Sequence, residues 1–263
     1  MKTRLIMIIA LTLAALALLL GLTIGRKNTK EPVAEVEAKD SVEIAERVLN
    51  LIILDESGSM YGLEEVCVEG VNHTIRTIRE SYEKLPEQKQ LLTFLTFSSI
   101  GESDFRTRFD QADISSVQDY KVSDYRPMGG TPLYDAMGTA LTKLEQVATE
   151  KDIVLVTVIT DGHENSSRKY NAEKIRNLIA RLDEKDWVFT YIGANQDAIL
   201  EAGKIGINNA MNYDADEDGT REMWEKEKVY RSRFMESARI GTSRSRLKAG
   251  YFSNEEKETP NDK

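Results

Sequence analysis

Four short stretches of the chain are dense in branched and aromatic apolar residues: Leu51–Leu54, Leu91–Phe97, Ile153–Ile159 and Trp187–Ile192. Runs of this length and composition, without polar alternation, read as strands buried on both faces, as in a parallel sheet. Between them the apolar residues change period. Leu63, Val66, Cys67, Val71, Ile75, Ile78, Tyr82 and Leu85 share one face at 3.6-residue spacing and predict a helix over 63–85. Leu133, Met137, Leu141, Leu144 and Ala148 predict a second helix, and Ala172, Ile175, Leu178, Ile179 and Leu182 a third. Cys67 lies on the apolar face and is read as a core residue. One segment keeps period 2: in Asp104–Phe109 the aromatics and Thr107 alternate with charges, which predicts a half-exposed strand. The turn Ser98–Gly101 before it is short enough for an antiparallel hairpin at a sheet edge. A weak last strand is expected around Ile207–Asn212 and a charged helix over Met223–Ile240. Strand and helix alternating with short connections predict an α/β fold, an open sheet with right-handed crossovers.

The two ends of the chain follow different rules. Leu5–Ile24 is almost wholly apolar and is flanked by Lys2, Arg4, Arg26 and Lys27. About 20 apolar residues span a bilayer, against about 7–15 in the core of a cleaved signal, so residues 1–25 are read as a membrane anchor in preference to a signal peptide. Positive charge on both flanks leaves the orientation open. Residues 26–43 form a polar linker, 44–240 the folded domain, and 241–263 a C-terminal tail, partly disordered. The 263 residues carry a net charge of −9 and 41% hydrophobic residues, which argues for one sizeable domain and against nucleic acid as a partner. A single cysteine excludes an intrachain disulfide framework and a cysteine-based zinc site.

Candidate chemistry gathers where strands end. Asp55-Glu-Ser57-Gly-Ser59 closes the first apolar run with one carboxylate and two hydroxyls at alternate positions. Such oxygens suit a hard divalent cation, and a polar turn capping a helix would use the same residues. Gly129-Gly130-Thr131-Pro132 opens the second helix, where Thr131 would also serve as an ordinary N-cap with Pro132 at the first helical position. Thr160-Asp161-Gly162 ends the most hydrophobic strand, and a plain strand-to-helix turn accounts for it equally. In this order and spacing the three motifs resemble a von Willebrand factor type A domain, over about Val48 to Met235.

That resemblance implies a metal-ion-dependent adhesion site of Asp55, Ser57, Ser59, Thr131 and Asp161 holding Mg2+ or Mn2+. Ser57 and Ser59 would bind the cation directly, Thr131 directly or through water, and Asp55 and Asp161 largely through water. It also implies a doubly wound, mostly parallel six-stranded α/β sheet with one antiparallel edge strand and helices on both faces, in the order 3-2-1-4-5-6, which sets Asp55 and Asp161 on adjacent strands at a topological switch point. The function expected is binding of a protein partner whose Asp or Glu fills the open coordination position, in a domain tethered to a membrane by the N-terminal helix. The alternatives are a scaffold with a structural metal and a metal-dependent hydrolase. Of the two histidines, His73 is read as a surface residue of the first helix and His163 as a loop residue rimming the binding face; His163 would be the hydrolase's base. A second, calcium site over Asp214–Glu225 is the less favoured reading of an acidic stretch with Asp214, Asp216, Asp218, Glu222 and Glu225 at calcium-loop spacing. The preferred reading is an acidic turn at a helix N-terminus.

Overall fold

The computed structural model describes residues 44–100, 105–194, 198–249 and 251–252. The Leu5–Ile24 run, the linker and the tail beyond Phe252 lie outside the described residues. Among the described residues no helix is long and apolar enough to cross a membrane.

Six strands form one sheet: β1 (Arg47–Asp55), β2 (Lys89–Phe97), β3 (Phe105–Asp113), β4 (Ile153–Thr160), β5 (Val188–Ala194) and β6 (Asn209–Tyr213). Their order is β3-β2-β1-β4-β5-β6, all parallel except the β2–β3 hairpin. This is the expected doubly wound sheet with an antiparallel edge strand. The β3 edge is blunted by irregular pairing against Leu92–Leu95, by Gln111 at a positive φ of 46°, and by the Lys143–Asp110 ion pair.

Side chains alternate across the sheet and supply two cores. Val48, Ile52 and Leu54 of β1 join Ile153, Leu155 and Ile159 of β4 on one face, under α1 (Glu64–Lys84). Leu49, Leu51 and Ile53 join Val154, Val156 and Val158 on the other, under α2 (Leu133–Glu145) and α3 (Ala172–Asp183). A short helix, α4 (Ala198–Lys204), also packs on this second face, through Ala198 and Ala202. Cys67 is buried and free on the α1 face, and burial pushes its thiol up to about 12.

The long helix expected from Met223 begins earlier, as α5 (Glu217–Arg239), because Asp216 caps it by accepting the Gly219 N–H at 2.7 Å. A last helix, α6 (Arg244–Ala249), follows. Leu247 and Tyr251 are buried against the α1–α5 core, beyond the boundary that composition placed at residue 240.

The charge pattern of α5 hides a buried face. Arg231 and Glu227 are both about 99% buried, with Arg231 Nε 2.7 Å from Glu227 Oε1. Arg231 also donates to Thr157 Oγ1 of β4 at 2.8 Å and to Asn50 Oδ1 of β1 at 3.4 Å. The two polar interruptions of the central strands are thus answered from one helix.

At Gly70, α1 and α5 approach so closely that an added Cβ would overlap the Trp224 indole. Gly70→Ala should therefore lose about 1–3 kcal/mol in urea unfolding, the usual range for overpacking. Gly203→Ala, with nothing within 4 Å, should be neutral or slightly stabilising. Equal stability of both variants would show that α1 and α5 do not pack as described.

Candidate functional site

The switch point of the sheet lies between β1 and β4, and both strands end there in polar residues. Asp55 closes β1 with its carboxylate fully buried. Its Oδ1 accepts the Ser57 N–H at 2.7 Å, and its Oδ2 accepts the Thr160 hydroxyl at 2.6 Å. Ser57 Oγ lies 3.1 Å from Ser59 Oγ, and the Ser59 hydroxyl donates to Asp161 Oδ1 at 2.6 Å.

Thr131 reaches the same place from the other side. A Cβ added at Gly162 would lie 3.1 Å from Thr131 Oγ1, 3.6 Å from Ser59 Oγ and 3.8 Å from Asp55 Oδ2. A side chain at 162 would crowd this oxygen-lined cradle. All five sequence-predicted site residues are therefore brought together. Asp55, Ser57 and Thr131 form a buried floor, Asp161 is half-buried, and Ser59 is exposed at the mouth.

Two carboxylates in so small a space are electrostatically unsatisfied. Burial pushes the Asp55 carboxyl up to about 6; the Thr160 and Ser57 hydrogen bonds oppose that rise, while the charge of Asp161 adds to it. Burial raises the Asp161 carboxyl as well, against the Ser59 hydrogen bond. A site of hydroxyl and carboxylate oxygens, with no nitrogen or sulfur donor among these five residues, fits a hard cation such as magnesium or manganese. Among the described residues no group of three or more His, Cys, Asp and Glu side chains is placed to hold a metal. The acidic stretch is no exception, because α5 already begins at Glu217, so Asp218, Glu222 and Glu225 stand on successive turns of a helix and do not close a loop.

Residues that the motifs do not mark hold this geometry. Glu56 is buried and accepts the Arg126 N–H at 2.6 Å and both Arg108 Nη2 contacts at 3.2 Å. The loop before α2 is stitched to the first motif by Gly58 N–H to Gly129 O at 3.0 Å and Met128 N–H to Glu56 O at 3.0 Å. Tyr125 donates its hydroxyl to the Asp55 carbonyl at 2.5 Å. Thr131 does not cap α2. The N-cap is Pro132, and the helix takes its acceptors from the loop after β4, where Glu164 accepts the Tyr134 N–H at 2.9 Å and Ser167 Oγ the Asp135 N–H at 3.0 Å. An acid in the first turn of α2 and the Glu-Asn-Ser-Ser run after Gly162 are the sequence signals of this arrangement. His163 is exposed, with Nδ1 3.7 Å from Glu201 Oε1 of α4; His73 is half-buried on α1, with Nδ1 4.0 Å from Glu225.

A sequence profile of the von Willebrand factor type A domain matches residues 51–226. Among curated protein sequences no significant match is found. Among solved structures, the pilus adhesin SpaC of Lactobacillus rhamnosus GG is similar with a TM-score of 0.56 and 11% identity, over 72% of this chain and 30% of the adhesin. Proximal thread matrix protein 1 of mussel byssus gives 0.49 and 14%, over 72% and 47% of the two chains. Manganese-loaded TRAP of Plasmodium vivax gives 0.47 and 20%, over 68% and 73%. At these identities the likeness is one of fold, and the chain spans less than half the length of the adhesin and of the mussel protein.

Thr160→Val keeps the shape of its side chain and removes the donor to the buried Asp55 carboxylate. At neutral pH and without added metal it should cost about 1.5–3 kcal/mol, the range for a hydrogen bond to a charged group. Thermal unfolding of the variant checks this, and an unchanged midpoint would contradict the bond.

Proposed function

This chain belongs to the von Willebrand factor type A domain family, and we propose that it binds a protein partner through a divalent cation, magnesium or manganese, held by Asp55, Ser57, Ser59, Thr131 and Asp161. Domains of this family commonly serve adhesion and protein binding. The observation that carries the reading is the convergence of Thr131 Oγ1, Ser59 Oγ and Asp55 Oδ2 on Gly162, with Asp161 bonded to Ser59. Hydroxyls supply neutral oxygens, and the two carboxylates supply charge that burial leaves uncompensated. A cation there provides an electron-poor position that an incoming aspartate or glutamate can occupy. Ser59 and Asp161 lie at the mouth, so the partner approaches from solvent along the carboxyl ends of the strands. The Leu5–Ile24 run is the proposed membrane tether.

Calorimetric titration with manganese tests the cation. Asp161→Ala and Ser57→Ala should each lower affinity by about 100-fold or more, since even outer partners of metal ligands cost about 10–100-fold. Unchanged affinity in both would sink the assignment. A partner captured in magnesium should be lost in chelator and by Asp55→Ala. If chelator lowers only the melting temperature and leaves capture intact, the metal is structural.

The tether has its own test. The full-length chain should pellet with membranes and resist carbonate extraction. A mature N-terminus found near Arg26 would identify a cleaved signal instead.

A further inference from the structure

We propose that Asp135 and Glu164 are positioning residues for the cation site, forming a reciprocal pair of carboxylate clamps that lock Thr131 in register with Asp161. The proposal takes its ligand from the cation reading above and its mechanism from hydrogen-bond geometry alone.

Thr131 and Asp161 stand on segments that no strand pairing joins. The β4 neighbours are β1 and β5, and Thr131 lies in the connection before α2. Something other than the sheet must set their separation. The first N–H groups of α2 have no partners within the helix, and Thr131 offers them none. Glu164, three residues beyond Asp161, fills that need with one oxygen and holds its own loop with the other. Its Oε2 accepts the Tyr134 N–H at 2.9 Å and the Ser167 hydroxyl at 2.7 Å, while Oε1 accepts the N–H groups of Ser166 and Ser167 at 2.9 and 2.7 Å.

Asp135, four residues beyond Thr131, does the converse. Its Oδ2 accepts the Arg168 N–H at 2.7 Å, and its Oδ1 accepts those of Lys169 and Tyr170 at 2.9 and 2.7 Å. Each segment therefore places a carboxylate among the backbone donors of the other. Between the clamps, Thr131 and Asn165 exchange two bonds: Thr131 N–H to Asn165 Oδ1 at 2.8 Å and Asn165 N–H to Thr131 O at 3.1 Å. Tyr170 closes the far end by packing on Gly138, where a Cβ would overlap its ring.

The acids are needed as acids. A carboxylate presents acceptors only, whereas an amide of the same shape turns an NH2 group toward backbone N–H donors. Asp135→Asn and Glu164→Gln thus change the clamp with little change in volume.

The experiment uses the full-length chain and the manganese ion alone as probe, with Asp113→Asn as control. Asp113 is an exposed carboxylate that accepts the Ser115 N–H and lies outside the clamp. Both clamp variants should lower manganese affinity by about 10–100-fold, the range for outer partners of metal ligands, and the control should not. In a Thr131→Ala background Asp135→Asn should cause less than about a twofold further loss, because second effects vanish when the route they share is already cut. In metal-free protein the amides of Thr131, Tyr134 and Asn165 should exchange at least about tenfold faster in both clamp variants, as expected for a locally opened segment. Unchanged affinity in both variants, or a full additive loss in the Thr131→Ala background, would overturn the proposal. Should the wild type bind no manganese, the cation reading falls and exchange decides the clamp: accelerated exchange supports it, and unchanged protection overturns it.

Discussion

The buried carboxylate of Asp55 sets the terms for everything at the carboxyl end of the sheet. Removing an ionised carboxylate from water costs several kcal/mol even after relaxation. The hydroxyl of Thr160 and the N–H of Ser57 return part of that, about 1.5–3 kcal/mol for each bond to a charge. They do not return all of it, since the Asp55 carboxyl still sits near 6. The same two bonds join the end of β1 to the end of β4 and start the turn that carries Ser57 and Ser59. An unpaid electrostatic cost and a precise local geometry therefore have one origin.

Midway along the same two strands a similar problem is solved with an internal ion pair. Arg231 and Glu227 are sequestered between α5 and the central strands, where Thr74, Tyr251, Asn50 and Thr157 supply further bonds. A buried pair of this kind is weak evidence for net stability, yet loss of one partner strands the other charge at about 3–5 kcal/mol. Its consequence is registry. α5 can rotate or slide only by separating Arg231 from two strands at once, and Tyr251 ties the segment after α6 to the same carboxylate. The helix and the C-terminal segment are held by polar geometry where apolar packing alone would tolerate slippage.

Much of this was legible from periodicity. The buried strands, the hairpin at the edge and the first three long helices follow from runs and spacings that burial itself imposes, and the three polar motifs fall at strand or helix ends as expected. What escaped was decided by tertiary proximity. Seven residues of α4 are too few to show a helical period, and the start of α5 was hidden because its capping residue belongs to an acidic stretch that also fits a loop. Arg231 and Glu227 read as surface charges on a charged helix until Asn50 and Thr157 are placed beneath them. Thr131 looked like a cap because its sequence neighbours are those of a cap, while the acceptors for α2 come from a loop 30 residues away. A side chain that answers a distant backbone leaves no periodic trace.

Acids are in fact abundant around the site. Asp55, Glu56, Asp135, Asp161 and Glu164 all lie within four residues of a candidate ligand or are one. Glu56 is engaged by Arg108 and the Arg126 N–H, Asp135 by three backbone N–H groups, and both oxygens of Glu164 by backbone and hydroxyl donors. Burial works against ionisation of Asp135, but those N–H groups outweigh it and hold its carboxyl below the usual range. Only Asp55 and Asp161 keep oxygens turned to the shared cradle. Two carboxylates match the charge of a divalent ion, and a third from the same chain would exceed it and repel an incoming acid. By tying the other three to arginine and backbone donors, the fold lets carboxylates shape the site without joining it, as the proposed binding of a cation and an incoming acid requires.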